Sequence, residues 1–165
     1  MTQEPENVPD WIKAEIVDKV DQQLRNGEKT QCDLEAANAV EVGGPDFWTR
    51  LTTQLKINTD ALPLLGEQLA GSTTVTGGAE YCCHVEVNRH SVNPPPELSQ
   101  LNLFYQPGAQ FIRGNYQSQE LPNIVLRSRN DNVVAYRNDE GPFTAEELAD
   151  YIIRLMVEHV RVKRP

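Results

Sequence analysis

The chain has 165 residues, of which 39% are hydrophobic and 24% charged, and it carries a formal net charge of −9. That length supports one domain with a substantial core, and the composition is that of an ordinary globular protein, which excludes wholesale disorder. The acidic balance argues against coating nucleic acid or an anionic membrane surface, because both tasks need clustered Lys and Arg.

Residues 1–9 read as a flexible leader. They are acidic and polar, without the basic and apolar regions of a secretory signal. Asp10 suits the N-cap of a helix starting at Trp11. Ile12, Ile16, Val20 and Leu24 then recur every four residues, with Trp11 and Val17 beside them, so one helical face is apolar. Gly27 is the expected stop. An alanine-rich stretch from Asp33 to Val40 suggests a short second helix, broken by Gly43-Gly44-Pro45. Phe47, Trp48, Leu51 and Leu55 mark a further helix, which Pro63 and Gly66 end. No segment reaches the ~20 apolar residues that span a bilayer.

From Ser72 the texture becomes that of a β-meander. The predicted strands are Ser72–Thr76, Glu80–Asn88, Leu101–Gln106, Phe111–Tyr116, Ile124–Arg129 and Val133–Arg137. Gln106-Pro107-Gly108-Ala109 and Asn130-Asp131-Asn132 supply hairpin turns, because Pro fixes φ while Gly and Asn accept positive φ. Ser91–Gln100, which contains Pro94, Pro95 and Pro96, reads as a long stiff connection. The last element is the clearest. Thr144-Ala145-Glu146-Glu147 is a capping box, and Leu148, Tyr151, Ile152, Leu155 and Met156 form one apolar stripe. Arg161, Lys163 and Arg164 place positive charge where a helix C-terminus favours it.

This order implies an α+β fold over a single domain, residues 10–165. It comprises N-terminal helices, an antiparallel β-meander of five or six strands, and a C-terminal amphipathic helix packed on the sheet.

Reactive side chains gather in one strand, Glu80 to His90. Alternation puts Tyr81, Cys83, Val85 and Val87 on one face and Cys82, His84, Glu86, Asn88 and His90 on the other. Cys82 and His84 stand ~6.6 Å apart at Cα, but zinc needs at least one further ligand, and no CxxC, HxxxH or HExxH spacing occurs. Neither a metal nor a cofactor is expected. As a nucleophile and base the pair is also weak, because a mid-strand cysteine lacks the environment that lowers a thiol pKa. Cys83 reads as a core residue. Three cysteines, two of them adjacent, do not make a disulfide framework, and a reducing cytoplasm fits them.

By parity Arg113 sits with Phe111, and Tyr116 sits with Ile112. Together with Arg127, Arg129, Tyr136 and Arg137, these residues read as a solvated sheet face laced with ion pairs. The leading functional reading is a non-catalytic protein-interaction or regulatory module. It would meet a protein partner or a second copy through a sheet face or edge. The alternative is a small-molecule-binding domain, with tyrosines such as Tyr81, Tyr105 and Tyr136 among its polar contacts. A Cys/His enzyme comes third. The candidate ligand-binding residues are His84, Glu86, Asn88, Arg113 and Tyr116, and no catalytic residue is assigned.

Overall fold

A computed structural model describes residues 8–90 and 97–161. The proline run at 94–96, Lys163 and Arg164 lie outside the described residues, as do residues 1–7 of the expected leader. The protein is α+β: a long helix α1 (Asp10–Ala61), a short 3₁₀ turn (Leu62–Leu65), eight strands and a C-terminal helix α2 (Ala145–Arg161). The chain divides into two compact units, Met1–Ala36 and Ala37–Pro165.

The described part of the first unit is helical from Asp10. Its apolar residues Trp11, Ile16, Val17, Val20 and Leu24 are exposed. Local side-chain bonds support the helix: Thr30 Oγ1 donates to the Asn26 carbonyl at 2.9 Å, and Gln31 Nε2 donates to Glu35 Oε1 at 3.2 Å.

The second unit is built on an antiparallel sheet. Its strands are β1 (Leu69–Thr76), β2 (Tyr81–Arg89), β3 (Glu97–Tyr105), β4 (Phe111–Tyr116), β5 (Gln119–Glu120), β6 (Ile124–Arg129), β7 (Asn132–Arg137) and β8 (Glu140–Phe143). They run in the order β1-β2-β3-β4-β6-β7-β8, with β5 paired to β4. The expected turns form as their chemistry requires. The Ala109 N–H donates to the Gln106 carbonyl at 2.9 Å with Gly108 at positive φ. Asn130 and Asp131 both take positive φ between the paired residues Arg129 and Asn132, which is the two-residue hairpin favoured by strand twist.

Two strands go beyond the expected five or six. β5 is reached through Gln117 and Ser118, both at positive φ, a turn that neither residue type announces. β8 contains Gly141 and Pro142, which weaken a strand in the sheet interior but are tolerated at an edge, and β8 is the last strand of the sheet.

The expectation of several N-terminal helices is corrected: α1 is continuous through Gly27, Gly43, Gly44 and Pro45. Proline inside a helix removes one backbone bond and costs about 3 kcal/mol. Packing offsets that cost, because Phe47, Trp48, Leu51 and Leu55 are all buried. The two glycines act as contact points rather than as a break. A β-carbon on Gly43 would lie 2.6 Å from a methyl of Val133, and one on Gly44 would overlap the Tyr105 hydroxyl. Bare backbone lets α1 settle onto the sheet, with Trp48 stacked on Tyr105 at 5.5 Å between ring centroids.

α2 begins as its capping residue demands, with the Glu147 N–H donating to Thr144 Oγ1 at 3.1 Å. It packs on β2, β3, β7 and β8. Arg50 and Glu146 form a two-bond ion pair, both at 2.9 Å, and Asn58 donates to Asp150 at 2.8 Å. These bonds set α2 beside residues 37–61 of α1. Both segments contribute to one hydrophobic cluster with Cys83, Val85, Val87, Leu101 and Leu103, so both cover the same, inner face of the sheet. Among the described residues no helix is long and apolar enough to cross a membrane.

The two kinds of glycine respond oppositely to alanine. Gly44→Ala forces the β-carbon against a buried ring, and overpacking of this sort costs about 1–3 kcal/mol, read as a lower urea midpoint. At Gly27 nothing lies within 4 Å of an added β-carbon. Gly27→Ala therefore gains about 0.5–1 kcal/mol of helix propensity, read as increased helical circular dichroism.

Candidate functional site

The structure divides the five sequence-predicted site residues between two faces. His84, Glu86 and Asn88 lie on the outer face of β2 and are half-buried. Arg113 joins them, because it pairs in register with Phe104, itself opposite Cys82. Tyr116 pairs with Leu101 and faces inward.

On the outer face His84 is the centre of a small network. Its Nδ1 lies 2.6 Å from Asn102 Oδ1 and its Nε2 lies 2.9 Å from Glu86 Oε1. Two acceptors on opposite ring nitrogens favour the doubly protonated imidazolium. Accordingly the hydrogen bond to Glu86, and then the one to Asn102, raise the His84 pKa against the smaller opposing effect of burial. Glu86 also accepts from Gln100 Nε2 at 3.1 Å. Its carboxyl pKa is lowered first by His84 and then by Gln100.

Asn88 Oδ1 is buried without a hydrogen-bond partner among the described residues. Arg113 pairs with Glu80 and lies over the Phe104 ring, 5.6 Å from its centroid. His84 thus engages Asn102 and Glu86 rather than Cys82. Cys83 is fully buried, and burial, followed by the neighbouring Cys82, pushes its thiol pKa up to about 12, which keeps it from acting as a thiolate. Among the described residues no group of three or more His, Cys, Asp or Glu is placed to hold a metal ion.

A concave feature lies on the inner face, under α2. Its origin is a register change in the β4 hairpin. Asn115 pairs with Glu120 and Tyr116 with Gln119, whereas Ile112 pairs with Ile124 and Phe111 with Val125. The second register is one residue longer than the first. The Leu121 N–H still donates to the Gly114 carbonyl at 2.8 Å, so the extra residue falls at Pro122 or Asn123. Pro122 has no N–H to continue the ladder, and a bulge bends the strand and re-aims its side chains. Leu121 and Pro122 form one wall of a cavity of about 190 Å³; β3 supplies Leu101 and Leu103, and α2 supplies Ile152, Leu155 and Met156. A β-carbon on Gly114, another lining residue, would sit 3.2 Å from Leu103 and 3.6 Å from Leu121.

Three polar side chains join these apolar walls: Tyr116, His159 and Arg137. The Tyr116 hydroxyl is bonded to buried Ser99 at 2.7 Å, and its ring meets His159 edge-on at 5.5 Å. Arg137 pairs in register with buried Ile124, so it and Tyr116 face the cavity rather than the expected solvated surface. Arg137 donates to the Tyr151 hydroxyl at 3.3 Å, and Tyr151 donates to Glu140 at 2.6 Å.

Of the candidate residues only Tyr116 belongs to this cavity; Leu121, Pro122, Arg137 and His159 were not among them. The available signal was Pro122 next to a strand, which marks an interrupted ladder. The chain matches no protein-family model, no curated protein and no solved structure.

The outer-face pair has a defined pH signature. His84, with its pKa raised, stabilises the fold fully below its ordinary value of 6.5 and loses that contribution as pH rises through the folded value. Glu86, with its pKa lowered, stabilises above its ordinary 4.5 and loses that contribution as pH falls through the folded value. The pair therefore contributes most between pH 4.5 and 6.5. At its partial exposure the gain stays below about 1 kcal/mol. Glu86→Gln should lower the His84 titration midpoint seen by NMR; an unchanged midpoint would show that the two side chains do not interact.

Proposed function

We propose that the chain is a non-catalytic binding domain whose ligand, a small apolar group, occupies the cavity between α2 and the β4 bulge. The observation that supports this reading is the composition of that cavity: Leu, Ile, Met and Pro walls with Tyr116, His159 and Arg137 among them. Binding sites commonly combine apolar walls with a few polar groups that orient the ligand. A cavity of 150 Å³ holds benzene, so about 190 Å³ suits a group of roughly six to ten non-hydrogen atoms. At about 0.7–0.8 kcal/mol per atom, such a ligand binds with a Kd between millimolar and micromolar.

Leu155 lines the cavity and is 40% exposed, so a larger side chain can enter there without rebuilding the core. Small apolar probes such as toluene should raise the melting temperature of the native chain by mass action. Leu155→Trp should remove that response while leaving the unliganded melting temperature within a few degrees. Equal stabilisation of both proteins would place binding elsewhere.

A second reading rests on the first unit. Ile16, Val20 and Leu24, four residues apart, are all exposed and form one apolar ridge along the helix. Contiguous exposed apolar surface is characteristic of protein–protein contact, and a second copy of the chain is the simplest partner for it. On this reading light scattering shows a mass that rises with concentration, and Val20→Glu with Leu24→Glu abolishes the rise. A monomer at every concentration tested would remove self-association from consideration.

A further inference from the structure

We infer that the ligand of the α2 cavity carries a single carboxylate, recognised by Arg137; the inference rests on the binding reading above and names the chemistry of that same site. Arg137 lines a cavity whose walls are otherwise largely apolar, and it is only half-exposed. A guanidinium in such a place is normally matched by an acid, because an unpaired charge loses hydration on burial. Among the described residues none pairs with it directly. Its bond goes to the neutral Tyr151 hydroxyl, and its carbon lies 5.7 Å from the centroid of the Tyr151 ring. The nearby acid, Glu140, pairs in register with Arg137 but is joined to it through the Tyr151 hydroxyl, whose proton it accepts. The hydroxyl and ring orient the guanidinium, and among the described residues none of its N–H groups is bonded directly to a carboxylate.

An arginine presents five donors in a planar fork that matches a carboxylate, and it stays charged at all physiological pH values. One arginine balances one negative charge. A phosphate monoester, with nearly two charges, would meet a protein of net charge −9 with no further Lys or Arg lining the cavity. The volume limits the remainder of the ligand to a short aliphatic chain or a single ring. The structure therefore favours a small monocarboxylic acid, with its acid group at Arg137 and its apolar end toward Ile152, Met156 and Leu121.

Hexanoate and 1-hexanol, titrated into the full chain by calorimetry, separate this inference from the reading beneath it. They share an apolar body and differ in the acid group. Hexanoate should bind more tightly than hexanol by about 10- to 100-fold, the usual worth of hydrogen bonds to a charged group. Arg137→Gln should remove that preference by weakening hexanoate far more than hexanol. Hexanol binding as well as or better than hexanoate to the native chain would overturn the carboxylate assignment while leaving the apolar cavity as the site, and this comparison needs no variant to fold. A loss of both ligands alike in Arg137→Gln would also overturn it. Failure of both probes to bind the native chain would overturn the cavity reading itself.

Discussion

The structure of the second unit depends on two helices sharing one face of the sheet. Alternation along β2 and β3 turns Cys83, Val85, Val87, Leu101 and Leu103 to the inside, and this apolar surface has to be covered. α1 covers part of it by close approach. Gly43 and Gly44 remove the β-carbons that would hold the helix off Val133 and Tyr105, which lets Phe47, Trp48, Leu51 and Leu55 bury against the strands. α2 takes the adjoining ground, tied to α1 through Arg50–Glu146 and Asn58–Asp150. Where the β4 hairpin gains its extra residue beneath α2, the two layers leave a cavity between them.

That division gives the faces different chemistry. Apart from Asn88, whose Oδ1 is buried without a partner among the described residues, the candidate residues of the outer face are paired: His84 with Asn102 and Glu86, Gln100 with Glu86, and Arg113 with Glu80. A network whose donors and acceptors are already paired has less left to offer a ligand, although its charge responds to pH. The cavity on the inner face has the opposite character. Its walls are apolar, and its one permanent cation, Arg137, is held by a neutral hydroxyl.

Much of the fold was legible from local rules. Four of the six predicted strands were located within about a residue at each end, because β-branched runs and φ-permissive turns coincide there. Thr144 announced α2 through its side-chain bond to Glu147. The errors have a common cause in tertiary packing. Gly43-Gly44-Pro45 is a helix break by propensity, yet it is a contact surface once Tyr105 and Val133 are opposite it. β5 and β8 are short strands held by their neighbours rather than by their own composition.

The candidate site was less legible for the same reason. Parity assigned Tyr116 to the face of Ile112, but nothing local says that a bulge at Pro122 opens a cavity beside it, or that His159 from α2 closes on the Tyr116 ring. Arg137 shows the difference most clearly. Read along β7 it is one of several solvated basic residues, and only its pairing with Ile124 turns it inward.

The central claim is that the space under α2 is a binding site rather than a packing defect. Its most direct measurement is a methyl-resolved NMR titration of the chain with hexanoate. The account predicts saturable shifts concentrated on Leu101, Leu121, Ile152 and Met156, with the methyls of Leu51 and Leu55 on α1 unmoved. Shifts that fail to saturate, or that appear equally on α1, would contradict it.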